Sequence, residues 1–219
     1  MNDLAVCVMA KAPVPGRVKT RLCPPLSKDE AAQLAGAFLL DVWHTARGMR
    51  NAIALLSYAG DKNDFPEPLS RAESFAQQGE DLGARIEHTA RAGLVRARSV
   101  LVIGSDLPGL PPAYLQSAFS ALNRAQCDAV LGPSRDGGFY LIGLRACPSG
   151  LLADLPWSQS STCERTQERL RERGMSVAVA PQFDDVDTID DLTDLRNGIV
   201  AGSLLAPASA RALSRLTCI

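Results

Sequence analysis

Apolar runs of strand length recur at residues 4–9, 52–58, 99–104, 129–132, 139–144 and 177–180, and most of the intervening segments repeat their apolar residues at helical spacing. That alternation predicts an α/β fold: a mostly parallel, mixed sheet covered by helices on both faces, in three α/β/α layers. A capping box, Ser27-Lys28-Asp29-Glu30, opens a first helix that runs through Leu34, Phe38 and Val42 toward Met49. Further helices are expected over 79–98, over 111–124 with proline in the first turn, over 163–173 as a charged and mostly solvated helix, and from Thr188 to about Gly198. Asp136-Gly137 between the fourth and fifth apolar runs is a strong hairpin signal.

The first run leads directly into Lys11-Ala12-Pro13-Val14-Pro15-Gly16-Arg17-Val18-Lys19-Thr20-Arg21-Leu22. Between Leu4 and Lys28 the chain carries five cations and no carboxylate, although its formal net charge is −1. A solvated surface loop would account for the charges alone. Its placement argues for more, because strand carboxyl ends are where α/β proteins present ligand groups, Pro13 and Pro15 stiffen the backbone, and Gly16 admits a close approach. If the segment is extended, Lys19 and Arg21 point the same way, as exposed cations facing the phosphates of a nucleotide. The segment is not a P-loop, since Val18 stands where Walker A requires glycine, and no dinucleotide-binding glycine fingerprint follows the strand.

Two acidic segments and a glycine turn complete the candidate chemistry. Gly104-Ser105-Asp106 ends the third apolar run, and Asp184-Asp185-Val186-Asp187-Thr188 follows the last, within a stretch free of Lys and Arg from 174 to 195. Asp106 read alone is as well explained by a turn, and Asp190 and Asp191 by the positive end of a helix. Asp106 and Asp187 together would form a two-carboxylate site for Mg²⁺ or Mn²⁺ from two separate strand ends. Gly137 and Gly138 would let backbone amides approach a substrate, with Asp136 accepting from a hydroxyl.

Composition narrows the class without naming a reaction. A chain of 219 residues that is 46% hydrophobic can bury one full core, which suggests a single domain over 1–200 followed by a peripheral tail over 201–219. No apolar run is long enough to span a membrane, and polar Asn2 and Asp3 do not open a secretory signal, so a cytoplasmic protein is expected. Six scattered cysteines without a C-x-x-C pair are read as reduced thiols, and with two histidines they offer little to zinc. Near-neutral charge and 5% aromatic content leave no nucleic-acid footprint.

Taken together, Lys11, Pro13, Gly16, Val18, Lys19, Thr20, Arg21 and Leu22, then Gln78-Gly79-Glu80-Asp81-Leu82-Gly83-Ala84-Arg85, Gly104-Ser105-Asp106, Gly132-Pro133, Asp136-Gly137-Gly138-Phe139-Tyr140, Trp157-Ser158 and Asp185-Val186-Asp187-Thr188 form an ordered set. The set resembles the nucleotide-diphospho-sugar transferase superfamily of the glycosyltransferase A type, over about residues 4–195. The nearer resemblance is to a bacterial family described as glycosyltransferases, which is similar also to molybdenum-cofactor and phospholactate guanylyltransferases. Gln159 departs from the pattern, where a threonine is expected.

The resemblance implies a metal-dependent transferase taking a nucleotide or nucleotide-sugar donor and a small-molecule acceptor. Lys11, Pro13, Gly16, Arg17, Lys19, Arg21 and Ser105 would bind the nucleotide; Gln78, Asp81, Arg85, Gly137, Gly138 and Trp157 the acceptor; Asp106 and Asp187 the metal. Lys19, Arg21, Asp106 and Asp136 would serve catalysis. Glycosyl transfer is the first expectation, nucleotidyl transfer with release of pyrophosphate the alternative, and a non-catalytic nucleotide-binding regulator the third.

Overall fold

A computed structural model describes residues 2–124 and 127–216, and Cys218 lies outside them. Seven strands form one sheet: β1 (Asn2–Lys11), β2 (Ala52–Ala59), β3 (Ser74–Ala76), β4 (Ala97–Gly104), β5 (Ala129–Pro133), β6 (Phe139–Leu144) and β7 (Val177–Val179). Their order across the sheet is β3-β2-β1-β4-β6-β5-β7. All neighbours are parallel except β6, which runs antiparallel between β4 and β5 and makes the sheet mixed. At the centre Cys7 of β1 lies level with Leu55 of β2 and Val102 of β4, all three buried.

Alternate β1 side chains point to opposite faces, so one strand feeds two cores. Val6 and Val8 pack beneath α1 (Lys28–Arg47) and α3 (Pro112–Asn123), together with Leu39, Val42, Leu115 and Leu122. Ala5 and Cys7 face α2 (Leu82–Leu94) and α4 (Thr162–Glu172), with Ile86, Ala90 and Leu170. The layers are therefore the α/β/α sandwich the hydrophobic pattern predicts. A third cluster joins Leu34 and Phe38 of α1 to Leu192 and Leu195 of α5 (Ile189–Val200) and Leu213 of α6 (Pro207–Leu213). Asp41, 5% exposed, holds α6 on α1 by accepting from the Ala208 and Ser209 amides, each at 2.8 Å.

The Ser27–Glu30 capping box forms as expected, with the Ser27 side chain accepting from the Glu30 amide and the Glu30 carboxylate accepting from the Ser27 amide. The second helix is shorter than the periodicity suggests. Asp81 caps it by accepting from the Ala84 amide at 2.7 Å, and β4 has already begun at Ala97, so Arg98 belongs to a strand. The three-residue β3 has no hydrophobic pattern to announce it and forms only because β2 offers a parallel edge. Among the described residues no helix is long and apolar enough to cross a membrane.

Candidate active site

The carboxyl ends of β1 and β4, the β5–β6 turn and the segment before α5 surround a cavity of about 410 Å³. Parallel strands all end on this edge, so their terminal residues meet without any being near in sequence. Lys11, Ser105, Asp106, Asp136, Gly138 and Trp157 line it, all of them singled out by the sequence.

The loop after β1 is not extended. Gly16 takes φ +75°, Lys19 adopts the left-handed conformation at φ 46°, and a 3-10 turn follows over Thr20–Leu22. This turn, and not an extended strand, brings Lys19 and Arg21 toward the same carboxylate. Lys19 is also not an exposed cation: its side chain is 4% exposed, and its Nζ lies 2.7 Å from Asp106 Oδ2 and 2.7 Å from Asp187 Oδ1, with the Phe38 ring 5.9 Å away. Burial alone would depress the ammonium pKa, but the charges of Asp106 and Asp187 and their hydrogen bonds more than offset it, so the pKa is raised. Arg21 remains largely solvated and reaches Asp187 Oδ2 at 3.6 Å.

Two contacts set the carboxylates. Val186 donates its amide to the Asp106 carbonyl at 3.0 Å, tying the segment before α5 to the end of β4. Asp187 then precedes the Thr188–Asp191 capping box of α5, and its own amide donates to Asp191 at 3.1 Å. Asp187 and Asp106 thus come from positions 81 residues apart in sequence to a common point, each with more than a third of its side chain exposed. Neighbouring Asp185 lines the cavity, and burial, reinforced by the charge of Asp187, lifts its pKa to about 6.

Across the cavity, Asp136 sits in the β5–β6 turn. Its Oδ1 accepts from the Gly138 amide at 2.9 Å and the Ser134 hydroxyl at 2.5 Å, and among the described residues Oδ2 accepts no hydrogen bond. Gly137, at φ +86°, lies so close to the loop before α4 that a β-carbon would come 1.9 Å from the Ser160 carbonyl oxygen. Gly137 therefore seats the turn against the segment carrying Trp157, whose ring stacks edge-on against Phe139 at 6.1 Å.

Other candidates lie elsewhere. Pro13 lines a separate groove between α1 and α6, and Arg17 is exposed on the loop. Gln78 and Arg85 are exposed outside the cavity lining, Arg85 donating to the Gly79 carbonyl at 3.0 Å, while Asp81 caps α2. Gln77 occupies the place expected of Gln78 and donates to the Ser57 carbonyl at 2.9 Å. Asp185, Gln77 and Tyr140 line the cavity without having been candidates. The first stands in the motif Asp185-Val186-Asp187-Thr188, which signals Asp187 but not Asp185 itself.

Residues 42–159 match the family described as "Uncharacterized protein conserved in bacteria (DUF2064)". The chain belongs to this family. It is 30% identical over 181 residues to the 2-phospho-L-lactate guanylyltransferase of Methanothermobacter thermautotrophicus, an alignment covering 81% of this chain and 78% of that one. A Desulfovibrio desulfuricans crystal structure, provisionally designated a nucleotide-diphospho-sugar transferase, superposes with a TM-score of 0.87 at 30% identity, over 98% of this chain and 95% of the other.

At 13% identity the fold alone is shared with a CMP:2-keto-3-deoxy-manno-octonic acid synthetase complexed with CTP (TM-score 0.58; 92% and 100% covered). The same holds for the glucosyl-3-phosphoglycerate synthase of Mycobacterium tuberculosis bound to Mn²⁺ and UDP (TM-score 0.53; 91% and 78% covered). DUF2064 thus sits within the nucleotide-diphospho-sugar transferase superfamily, and this chain is a nucleotide-utilising transferase.

Proposed function

We propose that the chain transfers a glycosyl group from a nucleotide-diphospho-sugar to a hydroxyl acceptor, with a divalent cation held by Asp106 and Asp187. The observation that carries this reading is the position of the Lys19 ammonium, which lies 2.7 Å from a carboxylate oxygen of each. Two carboxylates that already converge on one cation are a donor set suited to Mg²⁺ or Mn²⁺, which take one or two protein carboxylates together with substrate phosphates. The cation would supply neutralisation of the charge that develops on the departing diphosphate.

The chain's own groups do the rest. With a cation on the carboxylates, Lys19 would be free to pair with the phosphates, and Arg21 and Lys11 would add positive charge at the rim. Asp136 is pinned through Oδ1 and keeps Oδ2 free to receive the proton of an acceptor hydroxyl. The acceptor oxygen bonds to the anomeric carbon as the bond from that carbon to the phosphate oxygen breaks, and the nucleoside diphosphate leaves with the electron pair.

Nucleotidyl transfer is the second reading, favoured by the 30% identity to a guanylyltransferase. Incubation with Mg²⁺ and a panel of nucleoside triphosphates and nucleotide sugars separates them. Released nucleoside diphosphate supports glycosyl transfer, pyrophosphate supports nucleotidyl transfer, and release of neither with intact nucleotide binding returns the regulator reading.

A further inference from the structure

Met9 is part-exposed although β1 is buried from Leu4 to Val8. The reason is that the cavity reaches down the α2–α4 face of the sheet, where Met9, Ile86, Val102, Phe139, Ile142 and Trp157 line it. Several of these side chains also belong to the apolar cluster under α2 and α4, so this end of the cavity is continuous with the core. Apolar surface left open to a cavity in this way is the usual mark of a small-molecule subsite.

The charges around it are one-sided. Among the described lining residues Lys11 is the single cation, whereas Asp106, Asp136 and Asp185 are carboxylates. The remaining polar groups on the wall beside Trp157 are neutral: Ser134, Ser158, Gln159 and Thr162. A phosphate or carboxylate on the acceptor would meet Asp136 and Asp185 there, while Lys11, the single cation among the described lining residues, is taken by the donor phosphates in the proposed function, and like charges brought together in a partly dehydrated site repel.

We infer that the acceptor is an uncharged alcohol with an apolar body, seated with that body against Phe139 and Trp157 and its hydroxyl directed to Asp136. This deepens the proposed function and rests on it. It also sets the chain apart from a guanylyltransferase whose named substrate carries a phosphate.

The test uses the full chain with Mg²⁺ and UDP, and titrates benzyl alcohol against benzyl phosphate by saturation-transfer NMR. Benzyl alcohol is expected to bind at least about tenfold more tightly than benzyl phosphate. Trp157→Ala should weaken the alcohol by about tenfold and Trp157→Phe by less, because a smaller aromatic ring keeps part of the contact. Gln159→Arg adds a cation to an exposed rim position and should narrow the gap by strengthening benzyl phosphate. Tighter or equal binding of benzyl phosphate to the unaltered chain overturns the inference, as does alcohol binding unchanged in both Trp157 variants. UDP affinity, followed in the same samples, separates the two readings. If UDP binds and benzyl phosphate is preferred, the acceptor class alone is wrong; if UDP and the ADP, GDP and CDP run in parallel all fail to bind, the donor reading is wrong and the alcohol comparison still decides the subsite.

Discussion

Lys19→Met keeps most of the side chain's length and removes only the ammonium that Asp106 and Asp187 share. Both oxygens lie 2.7 Å from Nζ, so they can be no more than twice that distance apart. Without the ammonium they repel. Breaking a buried ion pair by deleting one partner costs about 3–5 kcal/mol, and the exposure of the carboxylates, 38% and 39%, lets water return to them and puts the loss near the lower end. At about 3 kcal/mol, a chain of this size should lose roughly 6–12 °C of Tm in EDTA.

Excess Mg²⁺ is then expected to raise Tm more in the variant than in the unaltered chain, because in the latter it must first displace Lys19. Differential scanning calorimetry with EDTA and with Mg²⁺ reads both effects. An unchanged Tm in EDTA would show that the ammonium contributes nothing there. Equal Mg²⁺ shifts in the two proteins would show that cation and ammonium do not share a site.

Asp106→Asn should lower turnover by about 10²–10³-fold and also lower Tm, since Lys19 would lose a partner; activity with Mg²⁺ and calorimetry check both. Asp185 has a pKa raised from 3.8 to about 6, so its contribution to stability is fully present below about pH 4 and is lost as pH rises through 6. Asp185→Asn, measured without metal, should therefore gain Tm relative to the unaltered chain at pH 8 and not at pH 4; an equal difference at both values would contradict the shift. Gly137→Ala puts a β-carbon against the Ser160 carbonyl and strains a residue at φ +86°, so Tm and activity should fall together in thermal and turnover assays, and an unaffected variant would mean that the turn can move away from α4.

Much of the layer structure is legible in the chain itself. Strand-length apolar runs alternating with helical periodicity encode an α/β sandwich, the Ser27–Glu30 and Thr188–Asp191 boxes mark helix starts through local hydrogen bonds, and the Asp136-Gly137 pair marks a hairpin because its geometry is set within four residues. The candidates at strand ends, Lys11, Ser105, Asp106 and Asp136, were legible for the same reason: a chemical group directly after a buried strand has one edge of the sheet to occupy.

What required the tertiary structure is everything fixed by partners distant in sequence. Hydrophobic patterning says which residues are buried but not which strand lies beside which, so the insertion of β6 between β4 and β5, and β3 with only three residues, had no local signal. A slip of one residue decides that Gln77 and not Gln78 faces the cavity, because successive side chains near a strand end point to opposite sides. Above all, an isolated loop lysine reads as solvated. Lys19 is buried because a left-handed turn delivers it between two carboxylates, 87 and 168 positions away, that only the folded sheet brings together.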